Sequence, residues 1–398
     1  MVHLTDGGRK PFLPLFAKRL VSRRSGTTMT RMLQPARFVM AVLALALAGC
    51  ANPPRTRPFK VAPEDLPPDV DLRPPTPPAP ATPHPVQPKP ILHPSASGGG
   101  QALSVPPATW VPLDQWARAN HFGPLTNLHS TVMPTFSLAT PAGGFVVRVG
   151  STLAQFAGLE LRLGFEPRLV NDEPALHTLD LQKNLLPLLS GTSAPPAGPH
   201  VIVLDPGHGG KDSGTRSATG HAEKDYTLDW ANRLADLLTA QGWQVFLTRT
   251  NDADESLSNR VAFAEEHHAD LFLSLHFNAA GSAVHSGIET YCVTPTGMPS
   301  SVTRGYEDNP ALAFPNNQFD AQNLQLALRL HREILAATKA EDRGIRHARF
   351  LSVLRAQHRP AVLIEGGYLS NPEEAALIDA PEHRQLLAEA VAKALQQP

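Results

Sequence analysis

The chain has 398 residues, with 35 basic and 36 acidic side chains and a net charge of −1. That balance gives no electrostatic case for nucleic-acid binding. The length allows two domains plus linkers. The 40 prolines are unevenly spread, and there are only two cysteines, Cys50 and Cys292.

In chain order, the first organised signal lies at residues 31–50. Arg31 and Arg37 form a basic start, and the apolar run 38–47 is too short to span a bilayer but suits an export signal. It closes with Leu47-Ala48-Gly49-Cys50, which resembles the bacterial lipobox. That resemblance implies that Cys50 is lipidated and becomes the mature N-terminus. Ala51 after it fits sorting to an outer membrane facing the periplasm. Met29 offers a second start, so residues 1–28 read as an over-extended beginning.

Residues 51–105 form a proline-rich tether, with sixteen prolines between Pro53 and Pro94. Such a segment buries no core and reads as disordered. At ~3 Å per residue it reaches on the order of 100 Å.

Residues 106–190 change texture. Short β-branched or alternating pieces at 145–149, 160–163 and 168–170 are broken by Gly and Pro, which predicts a small β-rich module with one or two short helices. It resembles the amine-oxidase N-terminal-like modules of secreted bacterial proteins, and it carries no clustered ligand-type side chains. A binding or spacer role follows. Residues 191–199 form a second linker.

From residue 200 onward, strands and helices alternate. Strands are predicted at 201–204, 244–247, 271–275, 288–293 and 361–364. Helices are predicted at 226–240, from Leu257 (capped by Ser256 or Ser258), at 323–338 and at 382–395. The pattern predicts an α/β domain over 200–398, a mostly parallel sheet with helices on both faces.

Chemistry-bearing residues fall at the ends of these elements. In DPGHGGKDSG an apolar strand stops at a glycine-rich turn that presents His208. Glu223 precedes the first long helix, His276 ends the strand of LFLSLHFNAA, and Glu365 ends that of AVLIEGGYLSNPEE. Parallel strands direct His208, His276 and Glu365 to one sheet edge, where open α/β sheets build their sites.

DPGHGGKDSG, AEKDY, SLHFNA and VLIEGGYLSNPEE resemble, in order and spacing, the four signature blocks of the zinc-dependent N-acetylmuramoyl-L-alanine amidases (the amidase-3 family). Arg249 and Arg343-Gly344 also fit. The resemblance covers the C-terminal half and implies that His208, Glu223 and His276 bind Zn²⁺ and that Glu365 is the catalytic acid/base. The implied substrate is peptidoglycan, cut at the amide between the lactyl group of N-acetylmuramic acid and L-alanine. Two imidazoles and one carboxylate leave an open fourth position, the catalytic rather than the closed structural type of zinc site.

Asp205 is a candidate for orienting an imidazole, and Asn278 for a substrate or oxyanion contact. The remaining histidines, His221 among them, read as solvated or packing groups, and Cys292 as a small buried hydrophobe. The polar, proline-broken insert 295–319 reads as a loop rimming the substrate groove. It lacks the periodicity of the helix that plugs the zinc site in some family members, and the need for an activator protein stays open. Two other readings stay open as well: a zinc carboxypeptidase acting on stem peptides, and a non-catalytic wall-binding lipoprotein.

Overall fold

The structure is a computed structural model that describes residues 109–190, 200–217 and 219–396. Cys50 and its signal segment, the 51–105 tether and the 191–199 linker lie outside the described residues.

The described residues before the linker begin with β1 (Trp110–Pro112) and α1 (Leu113–Ala119). Five antiparallel-paired strands follow: β2 (Thr126–Asn127), β3 (Thr135–Thr140), β4 (Gly143–Arg148), β5 (Leu153–Phe156) and β6 (Leu159–Arg162). β7 (Arg168–Val170) and β8 (Glu173–His177) complete a three-stranded sheet with β1. α2 (Thr178–Asp180) then runs through a π-helical stretch (Leu181–Leu185) into α3 (Leu186–Leu189). Alternation is the organising pattern, since Phe145 and Val147 of β4, Ala154 and Phe156 of β5 and Leu161 of β6 all turn inward.

The second half begins with β9 (Val201–Pro206), α4 (Glu223–Ala240), β10 (Gln244–Leu247), α5 (Leu257–Glu266) and β11 (Leu271–Asn278). It continues with β12 (Ile288–Cys292), a 3-10 turn (Pro315–Phe319), α6 (Asp320–Thr338), β13 (Asp342–His347) and α7 (Ser352–Arg355). β14 (Ala361–Tyr368), α8 (Pro372–Asp379) and α9 (Pro381–Gln396) close it. Ser256 caps α5 by accepting from the Asn259 amide, and Asn371 caps α8 by accepting from Glu373 and Glu374.

β10, β9, β11 and β14 are mutually parallel, and β12 joins β14 antiparallel before pairing in parallel with β13. From β9 to β14 the sheet is therefore α/β and mostly parallel, with one antiparallel junction. The short 279–287 connection cannot carry the chain back to its starting edge, so β12 runs opposite to β11. The sheet continues beyond β13, where Ile345 pairs with Leu161 of β6. The Glu160 amide donates to Asp342 Oδ2 at 2.8 Å beside that junction. Among the described residues this makes one eleven-stranded sheet.

Strand parity decides what each face carries. Ile202, Leu204, Leu273, Leu275, Val362 and Ile364 pack with Trp230, Leu234 and Leu238 of α4, Leu330 and Ile334 of α6, and Leu387 and Val391 of α9. Val203, Phe272, Tyr291 and Leu363 point the other way, onto Ala264 of α5 and Val353 and Leu354 of α7. Helices thus cover both faces, as the alternation predicts. The second face carries only two shorter helices, and on it the strand ends are reachable.

Candidate metal centre and its pocket

The predicted residues meet at the carboxyl edge of the parallel strands. β9 ends in a turn where the Gly207 amide donates to Leu275 O at 3.0 Å, and His208 follows with φ 61°. A left-handed backbone is uncommon outside glycine, although histidine enters it more readily than most residues. α4 starts at Glu223 itself. His276 on β11 lies directly beside Glu365 on β14 in the parallel register.

His208 Nε2 lies 3.0 Å and His276 Nδ1 3.1 Å from Glu223 Oε1. One ligand atom from each of the three side chains falls within 4.8 Å of the others. The imidazole centroids are 4.9 Å apart. The Phe277 and Thr215 amides donate to the Glu223 carboxylate, each at 3.0 Å, and fix its plane. Burial works to raise the Glu223 carboxyl, but His208 and His276 hold it well below the usual carboxylate range. Burial lowers His276, but its bond to Glu223 together with the charges of Glu223 and Glu365 raises it overall.

This donor set fits a divalent cation. Asp212 Oδ2 sits 2.8 Å from His208 Nδ1. A carboxylate only accepts, so a proton sits on Nδ1, and in the neutral ring that binds a metal the Nε2 lone pair turns toward Glu223. An imidazole lone pair and a carboxylate oxygen at 3.0 Å repel unless a cation lies between them. The surrounding backbone leaves room for these rings only because two residues lack side chains. A Cβ on Gly207 would lie 2.3 Å from the His276 ring, and one on Gly214 (φ +58°) would lie 2.6 Å from His208 and 2.7 Å from Glu223.

Glu365 lines the same pocket and is 8% exposed. Its Oε2 has no hydrogen-bond partner, so burial pushes its carboxyl up to about 7; His276 opposes the rise and Glu223 adds to it. A carboxyl tuned near neutrality can both accept and return a proton. The opposite wall is apolar, with Leu257, Phe350, Leu351 and Val353.

One sequence assignment needs correcting, and a second residue has partners that the sequence did not show. Asp205 does not touch an imidazole: Oδ1 accepts from Thr248 Oγ1 (2.7 Å) and Arg260 Nη1 (2.6 Å), and Oδ2 from Ser274 Oγ (2.8 Å). Its contact with the site is indirect, because Arg260 Nη2 also donates to His208 O at 2.7 Å. Asp212 is the residue that orients the ring. Asn278 lines the pocket, but its amide donates to Glu289 Oε2 at 2.9 Å and its Oδ1 accepts from Arg304 Nη2 at 3.1 Å.

Three further groups shape the site: the sequence marked Arg249 only as fitting the family blocks, and it did not single out the other two. Arg249 donates to Pro206 O (3.0 Å), to Gly207 O and Lys224 O (both 2.8 Å) and to Thr227 Oγ1 (3.0 Å), lashing the His208 turn to the start of α4. Glu289 is a buried carboxylate that binds Arg343 Nε (3.0 Å), Arg346 Nη2 (3.1 Å) and the hydroxyls of Tyr291 and Tyr368 (both 2.7 Å). The third is Arg304, from the 295–319 insert, which does rim the pocket. Among the described residues the insert holds no helix longer than the 3-10 turn at Pro315–Phe319.

Comparisons with known proteins show which family the chain is similar to. A profile of the N-acetylmuramoyl-L-alanine amidase family matches residues 202–397. N-acetylmuramoyl-L-alanine amidase AmiC of Escherichia coli O6:H1 is 30% identical over 309 residues, covering 70% of this chain and 73% of the relative. AmiA of Escherichia coli strain K12 is 30% identical over 234 residues, covering 52% of this chain and 81% of the relative. The solved amidase AmiC2 of Nostoc punctiforme is 32% identical, with a TM-score of 0.42, covering 51% of this chain and 100% of that one. With its four blocks at one sheet edge, the chain belongs to the N-acetylmuramoyl-L-alanine amidase family.

Proposed function

We propose that this protein hydrolyses the amide between the lactyl group of N-acetylmuramic acid and the L-alanine of a peptidoglycan stem. The observation that carries the reading is the convergence of His208, Glu223 and His276 beside a buried Glu365 whose Oε2 has no hydrogen-bond partner among the described residues. His208, Glu223 and His276 would hold Zn²⁺. When bound, zinc acts as a Lewis acid that acidifies water and polarises a carbonyl.

The chain's own residues do the rest. Asp212 holds the His208 ring in one tautomer. Glu365 takes a proton from the attacking water at Oε2 and returns it to the nitrogen of the departing alanine. The products are the lactyl carboxylate and a stem peptide with a free amino end. The apolar wall formed by Leu257, Phe350 and Val353 limits bulk water at the reacting carbon.

Export, lipid attachment through Cys50 and a place in the cell envelope, at the outer membrane facing the periplasm, belong to the same proposal. So does a spacer or binding role for residues 106–190. No helix of the described residues is long and apolar enough to cross a membrane.

The test is digestion of purified muropeptides by the full chain, with products read by mass spectrometry. Stem peptides with a free L-alanine amine should appear, vanish on chelation and return with zinc. Shortened stems with an intact lactyl amide would establish the carboxypeptidase reading instead. For the anchor, Cys50→Ser should release the protein from membranes, and unchanged membrane association would remove that part.

A further inference from the structure

The 295–319 insert delivers a single cation into the pocket. Thr303–Tyr306 is a tight turn closed by the Tyr306 amide donating to Thr303 O at 2.8 Å. Its two central residues, Arg304 and Gly305, have φ 43° and 79°. Positive φ at both positions is the mark of a mirror-image type I′ turn, which favours Asn, Asp and Gly. An arginine at the first position is a strained choice of the kind that gathers at functional sites.

The turn is braced on both sides. Ser300 Oγ and Arg349 Nη1 each donate to Asp308 Oδ1 at 2.7 Å, and Arg349 Nη2 reaches back to Pro295 O at 3.0 Å. On the near side the Ser301 amide donates to His347 O at 2.9 Å. The insert is thus a fixed arm with Arg304 at its tip.

The guanidinium itself is under-used. Of its five N–H donors, the hydrogen bonds among the described residues engage only Nη2, on Asn278 Oδ1 at 3.1 Å. Its carbon lies 5.6 Å over the Phe350 ring, and no carboxylate lies within ion-pair distance of it among the described residues. Arg343, Arg346 and Arg349, which flank the same region, each hold a carboxylate. Arg304 lies in the field of Glu365 and Glu289, yet most of its donor fork is left open toward the pocket. The sugar side of the scissile amide (an N-acetylated hexose with an acylated lactyl ether) carries no charge, so only the peptide side can supply a counterion.

We propose that Arg304 is a specificity residue that captures a carboxylate on the stem residue immediately following L-alanine, so that the enzyme selects anionic over amidated stems. This rests on the lactyl-amide reading above.

The test uses the full chain loaded with zinc and two N-acetylmuramoyl dipeptides that differ only in the second residue's carboxylate, free in one and a carboxamide in the other. The readout is the ratio of their kcat/KM values. A charge-assisted bond of this type corresponds to a ratio of about 10- to 100-fold in the wild type. Arg304→Gln should bring the ratio toward one, mostly through KM, and Arg304→Lys should restore part of it. Thermal melts check that both variants fold.

A wild-type ratio near one overturns the proposal while leaving the amidase reading intact. An equal loss on both substrates in Arg304→Gln also overturns it, and places Arg304 among the groups that act on Glu365 rather than on substrate. Failure of the wild type to cut the lactyl amide in either dipeptide removes both readings together.

Discussion

Glu289 and Glu365 face each other directly across the antiparallel junction of β12 and β14, and the fold shifts the two carboxyl groups in opposite directions. Burial acts to raise both. At Glu289, Arg346, the Tyr291 and Tyr368 hydroxyls and Arg343 overcome that and hold the carboxyl below the usual range. Glu365 has no such partners at Oε2 and is pushed up to about 7. Neighbouring acids driven apart by environment commonly separate a structural role from a proton-transfer role.

Glu365→Gln should lower the rate of stem-peptide release by about 10²- to 10⁴-fold, the usual contribution of a positioned acid/base. Zinc content and the melting temperature should stay close to wild type, because Oε2 has no partner to lose. Retained activity within tenfold, measured on muropeptides, removes Glu365 from the mechanism.

Asp212→Ala should loosen metal binding rather than folding. Outer partners of metal-binding imidazoles are worth about 10- to 100-fold in affinity or activity. Competition with a chromophoric chelator measures it. Unchanged zinc affinity would show that His208 keeps its orientation without Asp212.

Asp205→Ala should act on stability. It strips the partner from Arg260, which is 4% exposed in its side chain against 1% for Asp205. Burial works against the Asp205 charge, yet Arg260, Thr248 and Ser274 keep its carboxyl below the usual range. Breaking such a pair costs about 3–5 kcal/mol. Chemical denaturation should show the loss, and a change under 1 kcal/mol would mean that water reaches Arg260.

Glu289→Gln should cost less, about 2 kcal/mol, because Arg343 and Arg346 retain 20% and 15% exposure. The effect has a pH signature. The folded-state value lies below the ordinary 4.5, so the folded protein binds fewer protons than the unfolded chain in that window. The stabilisation is complete above the ordinary value and is lost as pH falls through the folded one. Wild type and variant melting temperatures should therefore converge on acidification below about pH 4.5. A constant gap would assign the loss to packing alone.

Much of the site was legible because strand parity and chain order determine where a side chain emerges. Each of His208, His276 and Glu365 follows an apolar strand whose direction the βα alternation dictates, and Glu223 opens a helix. The Asp205 assignment failed because the chain reverses at Gly207 and His208. Asp205 stays on the sheet face under α5, whereas the paired backbone bonds between Gly209 and Asp212 fold Asp212 back onto the ring. β13 was unreadable because Asp-Arg-Gly-Ile-Arg-His has one apolar side chain, and its polar groups find partners only in three dimensions. Arg304 had no local signal, since its meaning comes from the turn that aims it.

The junction of Ile345 with Leu161 carries a consequence for how the chain can be cut. β13 is half charged, and in the intact chain β6 covers its outer side. A fragment starting at the linker would leave that side as a bare row of amides and carbonyls. Unprotected edges of this kind invite strand exchange between copies. The strands ahead of the linker thus serve as the sheet's selvedge on that side, and excising them uncovers β13 as a self-associating edge.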